Sequence, residues 1–263
     1  MTTAGPLLEV VDMHKHYRAL HGRGEPTRAV DGVSFTIDRG ETLGLVGESG
    51  SGKSSLANAV LMIDPPTSGQ VRFDGQDLTG MKARELRATR RRLQVVFQDP
   101  YSSLNGRMTV AEIVAEPLVV HRLAPTTAER ESTVTAALDS VGLSSRDGAR
   151  YPHEFSGGQR QRIGIARAIV SQPDLVVCDE AVSALDVSVQ AQVINLLLDL
   201  QEERGLAYLF ISHDLSVVSA LVHRVAVMYK GRIVEQGPAK DVFSAPEHEY
   251  TQRLLAAVPA RRR

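Results

Sequence analysis

Residues 47–54 read Gly-Glu-Ser-Gly-Ser-Gly-Lys-Ser and fit the pattern G-x-x-x-x-G-K-[ST]. The pattern follows an apolar strand candidate, Thr42–Val46, and opens a helix candidate, Lys53–Met62, which is the context that gives it chemical meaning. Its glycines let backbone N–H groups point inward around phosphate oxygens, and the helix adds the positive end of its dipole. We expect Lys53 to reach the β- and γ-phosphates of a nucleotide from the loop surface and the Ser54 hydroxyl to coordinate Mg²⁺.

The residues predicted to line the nucleotide at this loop are Gly47, Glu48, Ser49, Gly50, Ser51, Gly52, Lys53, Ser54 and Ser55. A chance match in a Gly/Ser-rich turn is the alternative. The strand before the pattern and the helix after it argue against that alternative.

Two carboxylates end a second apolar run, Leu175–Glu180. In a protein with a phosphate loop, an acidic residue at such a strand end holds Mg²⁺, and this role is predicted for Asp179. Glu180 lies one residue further, where it can orient or deprotonate the attacking water. In the alternative interpretation, the strand leaves the core at a polar pair that does no chemistry. Cys178 is expected to be a buried, small apolar residue.

The composition of the 263 residues excludes several classes of protein. Thirty Lys and Arg residues against 31 Asp and Glu give a net charge of -1, without the positive field of a general nucleic-acid-binding protein. A single Cys excludes an internal disulfide and a zinc or iron–sulfur site built from cysteines of this chain. Apolar runs fall short of the roughly 20 residues that span a bilayer, and no secretory signal is visible in residues 1–17.

Short β-branched runs alternate with helical patterns along the chain, which predicts an α/β fold. The strand candidates are Leu7–Val11, Ala29–Ile37, Thr42–Val46, Gln70–Phe73, Leu93–Phe97, Leu175–Cys178, Ala207–Ile211, Arg224–Tyr229 and Arg232–Gln236. The helix candidates are Lys53–Met62, Ala83–Arg91, Val110–His121, Thr127–Val141, Gln159–Ser171, Ser188–Arg204 and Leu215–Val222. Residues 100–172 hold several helical patterns and no convincing strand, so we expect an inserted helical subdomain there.

The segment Phe155–Arg162, Phe-Ser-Gly-Gly-Gln-Arg-Gln-Arg, is a second candidate anion site. Ser-Gly-Gly at a helix start offers backbone N–H groups and one hydroxyl to a phosphate. The segment resembles the signature of ATP-binding-cassette (ABC) ATPases, in which the signature of one subunit closes over ATP held by another. The resemblance assigns Ser156, Gly157, Gly158 and Gln159 to nucleotide binding.

Other elements of that family occur in the family's order. Gln98 resembles the Q-loop glutamine, which contacts Mg²⁺ and the attacking water, and Asp186 lies in a segment similar to the D-loop at the dimer interface. His213 resembles the switch histidine that contacts the γ-phosphate. Tyr17 resembles the aromatic residue that stacks on adenine. The alternatives are that His213 is an ordinary strand-end histidine and that Tyr17 is a surface tyrosine.

Three finer segments resemble the oligopeptide, dipeptide and nickel importer subfamily: Tyr151–Phe155, Ser183–Gln190 and Pro246–Thr251. The Phe-Ser-Gly-Gly-Gln form is similar to the second, F-type ATPase subunit of those importers. The resemblance covers residues 7 to about 258. It implies a P-loop NTPase fold, an ABC-type nucleotide-binding domain with an N-terminal antiparallel β-subdomain and an inserted α-helical subdomain.

The implied domains are a RecA-like core with the β-subdomain at 1–97 and 173–237, a helical signature subdomain at 98–172 and a short C-terminal extension at 238–263. The implied activity is ATP hydrolysis, with Mg²⁺, that powers uptake of short peptides or of related cargo such as nickel or glutathione. Glu180, His213 and Gln98 are the predicted catalytic residues, and Ser54, Gln98 and Asp179 are the predicted Mg²⁺ ligands.

The implied partners are a second ABC ATPase subunit in a homodimer or heterodimer, two transmembrane permease subunits and, indirectly, an extracytoplasmic substrate-binding protein. The implied location is the cytoplasmic face of the bacterial plasma membrane, without nucleic acid. The alternative is a soluble ABC ATPase that acts in translation or DNA repair. Such proteins usually carry two cassettes or a long coiled-coil insertion, whereas this chain has one cassette and no heptad run.

Overall fold

The computed structural model describes residues 5–18 and 26–257. The strands of this part are β1 (Leu8–Tyr17), β2 (Thr27–Ile37), β3 (Thr42–Val46), β4 (Ser68–Phe73), β5 (Gln76–Asp77), β6 (Leu93–Val96), β7 (Leu175–Asp179), β8 (Ala207–Ser212), β9 (Arg224–Tyr229) and β10 (Arg232–Pro238). The helices are α1 (Lys53–Val60), α2 (Ala83–Arg92), α3 (Pro100–Ser103), α4 (Val110–His121), α5 (Thr127–Ser140), α6 (Gly157–Ile169), α7 (Val187–Arg204), α8 (Leu215–Val218), α9 (Ala239–Ser244) and α10 (Glu249–Ala256). Two 3₁₀ turns lie at Ser145–Ala149 and Pro152–Glu154.

Every predicted strand and helix is present, and β3, β9 and α4 have the predicted ends. The largest difference is β1, which continues to Tyr17 instead of ending at Val11. An irregularity in its pairing surrounds Asp12, whose φ is 45°, and the strand resumes because β2 and β4 pair with it on either side. The sequence patterns missed β5, α3, α9 and α10, which are all short.

The chain forms two compact units, and the first comprises Met1–Leu86 and Ala207–Arg263. One of its sheets has the strand order β2-β1-β4-β5 and is antiparallel. In the other, β3 lies between β8 and β9 and is parallel to both, while β10 is antiparallel to β9. All five residues of β3 are buried, which is typical of a central strand covered on both faces.

The second unit comprises Arg87–Leu206. Its strands β6 and β7 are parallel, and α4, α5 and α6 pack against one another. Residues 100–172 contain helices and no strand, as the sequence predicts. Capping boxes begin α4 and α5, where Thr109 pairs with Glu112 and Thr126 pairs with Glu129. These reciprocal bonds satisfy N–H groups that a helix start otherwise leaves without a partner.

The predicted functional domains at 1–97 with 173–237, at 98–172 and at 238–263 stay a prediction. Residues 19–25 and 258–263, which fall within the first and the last of them, lie outside the described residues. Among the described helices, none combines the length and the apolar character needed to cross a bilayer.

Candidate nucleotide-binding site

The predicted phosphate loop lies in the first unit, between the end of β3 and the start of α1. Gly52 precedes the helix with φ 109°, and a Cβ built on it falls 2.0 Å from the Ala29 carbonyl oxygen, so only glycine fits there. The Gly231 N–H donates to the Ser51 carbonyl oxygen at 2.9 Å and fixes the far side of the loop. Ser49 and Ser54 are exposed, which leaves this face of the loop open to a ligand.

Lys53 is buried, so the expectation of a cation on the loop surface is wrong. It is 4% exposed, and its Nζ donates to the carbonyl oxygens of Gly47 at 2.7 Å and Glu48 at 2.9 Å. Burying an ammonium group is costly unless hydrogen bonds replace its water. The two carbonyl groups replace that water here. Lys53 thereby links the end of the loop to its first two residues.

His213 lies at the same edge of the sheet as the phosphate loop. Strands β3 and β8 are parallel, with Val46 opposite Ser212. The loop begins directly after Val46 and His213 directly after Ser212, so the strand register aligns them. His213 is exposed. The role of His213 as a switch histidine stays a prediction.

Tyr17 is the last residue of β1, and its side chain is 38% exposed. Its hydroxyl donates to Asp64 Oδ2 at 2.9 Å, and Lys15 Nζ donates to Asp64 Oδ1 at 2.5 Å. These hydrogen bonds, that from Lys15 first, hold the pKa of Asp64 below its usual value. Tyr17 is thus fixed at its hydroxyl end, and its role in stacking on adenine stays a prediction.

In the second unit, two predicted catalytic residues are in contact. Strands β6 and β7 are parallel, with Val96 opposite Cys178. Gln98 and Glu180 each lie two residues beyond this pair. Gln98 Nε2 donates to Glu180 Oε2 at 3.0 Å.

The backbone at Glu180 turns sharply, with φ 48°. This left-handed conformation is uncommon for residues other than glycine, and such strain concentrates at functional sites. The Glu180 carbonyl oxygen accepts from the N–H of Ser183 at 3.0 Å and from its hydroxyl at 2.9 Å, which holds the turn. The turn aims the Glu180 carboxylate at Gln98.

Strand β7 ends at Asp179, one residue later than predicted, and the Asp179 side chain is half-buried. Cys178, just before it, is fully buried. Burial raises the pKa of the Cys178 thiol to about 12, which agrees with a small apolar role.

Ser156 lies before the first residue of α6 and forms a capping box with Gln159. The Ser156 hydroxyl accepts from the Gln159 N–H at 3.3 Å, while Gln159 Oε1 accepts from the Ser156 N–H at 3.0 Å. The Gln159 side chain therefore holds the helix start, a contribution that was not predicted. The next N–H groups, those of Gly157 and Gly158, have no acceptor within the helix.

The two signature glycines differ in how closely neighbouring side chains approach them. A Cβ on Gly158 would fall 2.3 Å from Val189 Cγ1, so this glycine lets α6 approach α7 closely. A Cβ on Gly157 would be 3.7 Å from Leu185 Cδ2, an ordinary contact. Packing therefore demands Gly158 but not Gly157.

Asp186 caps the start of α7 in the same unit. Its Oδ1 accepts from the Ser188 hydroxyl at 2.7 Å and from the Val189 N–H at 3.0 Å. The hydrogen bond from Ser188 is the main reason why the pKa of Asp186 is lowered. An ionised Asp186 at this helix start also suits the helix dipole.

Comparison with known proteins decides the family. The family model described as ABC transporter matches residues 30–183 of this chain, which include the phosphate loop, Gln98, the signature and Glu180. The chain belongs to the ABC transporter family.

Two curated relatives cover almost all of this ABC ATPase. The oligopeptide transport ATP-binding protein OppF of Bacillus subtilis is 51% identical over 254 residues, which is 96% of this chain and 82% of the relative. The dipeptide transport ATP-binding protein DppF of Escherichia coli is 49% identical over 261 residues, 98% of this chain and 78% of the relative.

The fold agrees with that of solved cassettes. The dimeric, post-hydrolysis structure of the ATP-binding cassette MJ0796, bound to ADP and Pi, superposes with a TM-score of 0.79 at 29% identity. The match covers 88% of this chain and 98% of that one. The predicted ABC-type nucleotide-binding fold is thus confirmed, and the chain is an ATP-binding ATPase.

The predicted metal ligands of the ABC ATPase are a hydroxyl on Ser54, an amide on Gln98 and a carboxylate on Asp179. All three offer oxygen, the donor that Mg²⁺ prefers. The chemistry of this donor set therefore fits the ion.

Another group of ligand-type side chains, His14, His16 and Asp31, lies in the first unit with its atoms within 4.8 Å of one another. Asp31 Oδ2, however, accepts two hydrogen bonds from Arg232, at 2.7 and 3.0 Å, and Arg232 lowers the pKa of Asp31. His14 Nδ1 lies 3.2 Å from Asp31 Oδ1. We interpret this group as an ion-pair network and assign no metal to it.

One contact of the loop was missed by the sequence patterns. The Glu48 N–H donates to the hydroxyl of Tyr250 on α10 at 3.0 Å. The signal was present, because Tyr250 belongs to the segment Pro246–Thr251 that resembles the importer subfamily. That resemblance alone did not indicate what the segment touches.

Proposed function

We propose that this ABC ATPase hydrolyses ATP to power the uptake of short peptides through separate membrane subunits. The observation that carries the proposal is the phosphate loop, in which Lys53 Nζ is held by the carbonyl oxygens of Gly47 and Glu48. The names of the two curated relatives support peptides as the cargo. The alternative of a non-transport ATPase has no such support.

ATP binding begins at the loop. The backbone N–H groups of residues 47–55 surround the phosphates, and Lys53 exchanges its two carbonyl partners for phosphate oxygens. Tyr17 stacks on the adenine ring. His213, at the same edge of the sheet, donates to the γ-phosphate. Ser54, Asp179 and Gln98 would hold Mg²⁺, which when bound would neutralise part of the phosphate charge.

Hydrolysis requires a water molecule to be placed and deprotonated. Gln98 fixes the Glu180 carboxylate through the hydrogen bond of 3.0 Å from Nε2 to Oε2. Glu180 then accepts the proton of the attacking water. Most of the catalytic effect is positioning and charge stabilisation, as in other phosphoryl transfers.

The signature and Asp186 act across a dimer in this proposal. Ser156, Gly157, Gly158 and Gln159 of one cassette close over the ATP held by its partner. The partner is a second ABC ATPase subunit, and the pair docks on two permease subunits at the cytoplasmic face of the bacterial plasma membrane. A substrate-binding protein outside the membrane delivers the cargo.

Transport by the assembled complex tests the proposal. The chain is co-expressed with candidate permease, binding-protein and partner ATPase subunits, and the purified complex is placed in lipid vesicles. We expect ATP-dependent uptake of a labelled tripeptide, absent with Lys53→Ala and retained with Lys82→Ala, whose lysine is exposed. Uptake of nickel or glutathione without peptide uptake would overturn the proposal that the cargo is peptide. Full uptake with Lys53→Ala would overturn the assignment of the loop as the ATP site.

A further inference from the structure

Tyr250 joins the C-terminal segment to the phosphate loop within the first unit. Its side chain is 3% exposed, and its hydroxyl accepts the hydrogen bond from the Glu48 N–H. Its ring stacks on Tyr229, with centroids 4.1 Å apart and an angle of 29° between the planes. The contact is therefore part of the packed interior of this unit.

The segment before Tyr250 is built to place this side chain. The Glu235 carboxylate accepts from the N–H groups of Glu247 at 2.9 Å and His248 at 3.1 Å. His248 Nδ1 in turn accepts from the Tyr250 N–H at 3.1 Å and caps α10. The hydrogen bonds of residues 247–250 thus fix the direction in which α10 starts.

Both backbone polar groups of Glu48 have a hydrogen-bond partner. Tyr250 accepts from its N–H, and Lys53 donates to its carbonyl oxygen. When Lys53 turns to a phosphate, the carbonyl contact is lost and the Tyr250 contact remains. The hydroxyl is then the group that keeps the first residues of the loop in shape around the nucleotide.

We propose that Tyr250 is a positioning residue of the nucleotide site, through which helix α10 sets the affinity for ATP. The inference rests on the proposed use of the loop by ATP. Burial raises the pKa of Tyr250, so its hydroxyl stays neutral at physiological pH. A loop held in one shape stabilises bound ATP and the transition state equally. Losing this support therefore raises KM and leaves kcat unchanged.

The test compares Tyr250→Phe, which keeps the ring, with the control Tyr229→Phe, which removes a hydroxyl from the other ring of the stack. ATP affinity is measured on the full chain by displacement of a fluorescent ATP analogue. We expect Tyr250→Phe to raise the dissociation constant about 3- to 10-fold, the effect of one hydrogen bond, and the control to leave it unchanged. In the assembled transporter, KM rises by the same factor while kcat stays constant.

Amide hydrogen exchange gives a reading that does not depend on ATP. A peptide covering residues 43–50 should exchange faster in Tyr250→Phe than in the wild type, because the Glu48 N–H loses its acceptor. Should that variant fail to fold, Glu235→Gln serves instead, because it weakens the hydrogen bonds from Glu247 and His248 that fix the start of α10. It is also expected to raise the dissociation constant for ATP. An unchanged dissociation constant overturns the inference, and unchanged exchange would also show that the Tyr250 hydroxyl does not hold the loop.

The inference and the proposed function fail in different ways. If Lys53→Ala binds ATP as tightly as the wild type, the loop is not the nucleotide site. If Lys53→Ala loses ATP while Tyr250→Phe binds it normally, the loop assignment stands and only the role of Tyr250 is wrong. A fall in kcat at constant KM would also overturn the positioning role.

Discussion

Gln98 and Glu180 are 82 residues apart in the chain, yet Gln98 Nε2 donates to Glu180 Oε2 at 3.0 Å. The register of the parallel strands β6 and β7 produces this contact. Val96 and Cys178 lie opposite each other, and Gln98 and Glu180 each follow two residues later. Glu180, the proposed base, is therefore held by Gln98, which is itself proposed to contact the attacking water.

The first prediction concerns that hydrogen bond. Gln98→Ala removes the donor that orients Glu180, and hydrolysis at saturating ATP should fall on the order of 10- to 100-fold, as expected for a misplaced catalytic group. Affinity for ATP should change less than turnover. The control is Gln94→Ala on β6, whose amide instead donates to the Arg90 carbonyl oxygen. Equal turnover of the two variants would contradict the orienting role.

Tyr17 offers a matched pair of variants. Tyr17→Phe keeps the ring and removes the hydrogen bond to Asp64, whereas Tyr17→Ala removes both. We expect the Phe variant to bind ATP nearly as well as the wild type and the Ala variant to lose roughly 1–3 kcal/mol of binding free energy, the strength of one stacked base. Calorimetric titration measures both. Normal affinity of Tyr17→Ala would mean that Tyr17 is a surface tyrosine and adenine binds elsewhere.

Alanine at the two signature glycines should affect stability to different degrees. Gly158→Ala forces a Cβ to within 2.3 Å of Val189 Cγ1, and overpacking of this kind typically costs about 1–3 kcal/mol of the free energy of unfolding. Gly157→Ala meets only an ordinary contact and should leave stability nearly unchanged. Urea unfolding distinguishes them. Similar stabilities would show that α6 and α7 can separate without cost.

Cys178 makes stability depend on alkaline pH. Its thiol pKa is 9.0 when unperturbed and about 12 in the folded protein. A raised folded pKa gives stability that is complete below pH 9 and is lost as the pH rises towards 12. Between pH 8 and pH 10 the wild type should lose roughly 1 kcal/mol more of its free energy of unfolding than Cys178→Ala. If the free energy of unfolding depends on pH in the same way in both proteins, the Cys178 thiol is not held neutral by the fold.

The sequence predicts the elements that carry local signals. Strand β3 and the loop after it were located to the residue, because a continuous apolar run ends at a glycine-rich pattern with one known geometry. The helical character of residues 100–172 also followed from periodicity. Strand β1 was cut short because Asp12 and the polar residues after it do not alternate like a strand, and only pairing with β2 and β4 extends it.

Other features depend on contacts between distant residues. The burial of Lys53 follows from carbonyl groups that turn towards it, which no residue pattern encodes. Helix α10 has only eight residues, too few for a clear period, and its contact with Glu48 joins residues 202 positions apart. The contrast between Gly157 and Gly158 likewise depends on the approach of α7.

Glu180→Gln tests the central claim most directly, because it keeps the size and hydrogen bonding of the side chain and removes the carboxylate that is proposed as the base. Turnover should fall by at least the roughly 10²- to 10⁴-fold expected for a positioned base, while ATP still binds. The control Glu203→Gln lies on an exposed part of α7 and should hydrolyse ATP normally. Mixed with its partner cassette and ATP, Glu180→Gln should accumulate as a dimer on size-exclusion chromatography. Hydrolysis at the wild-type rate would contradict the assignment of Glu180 as the base.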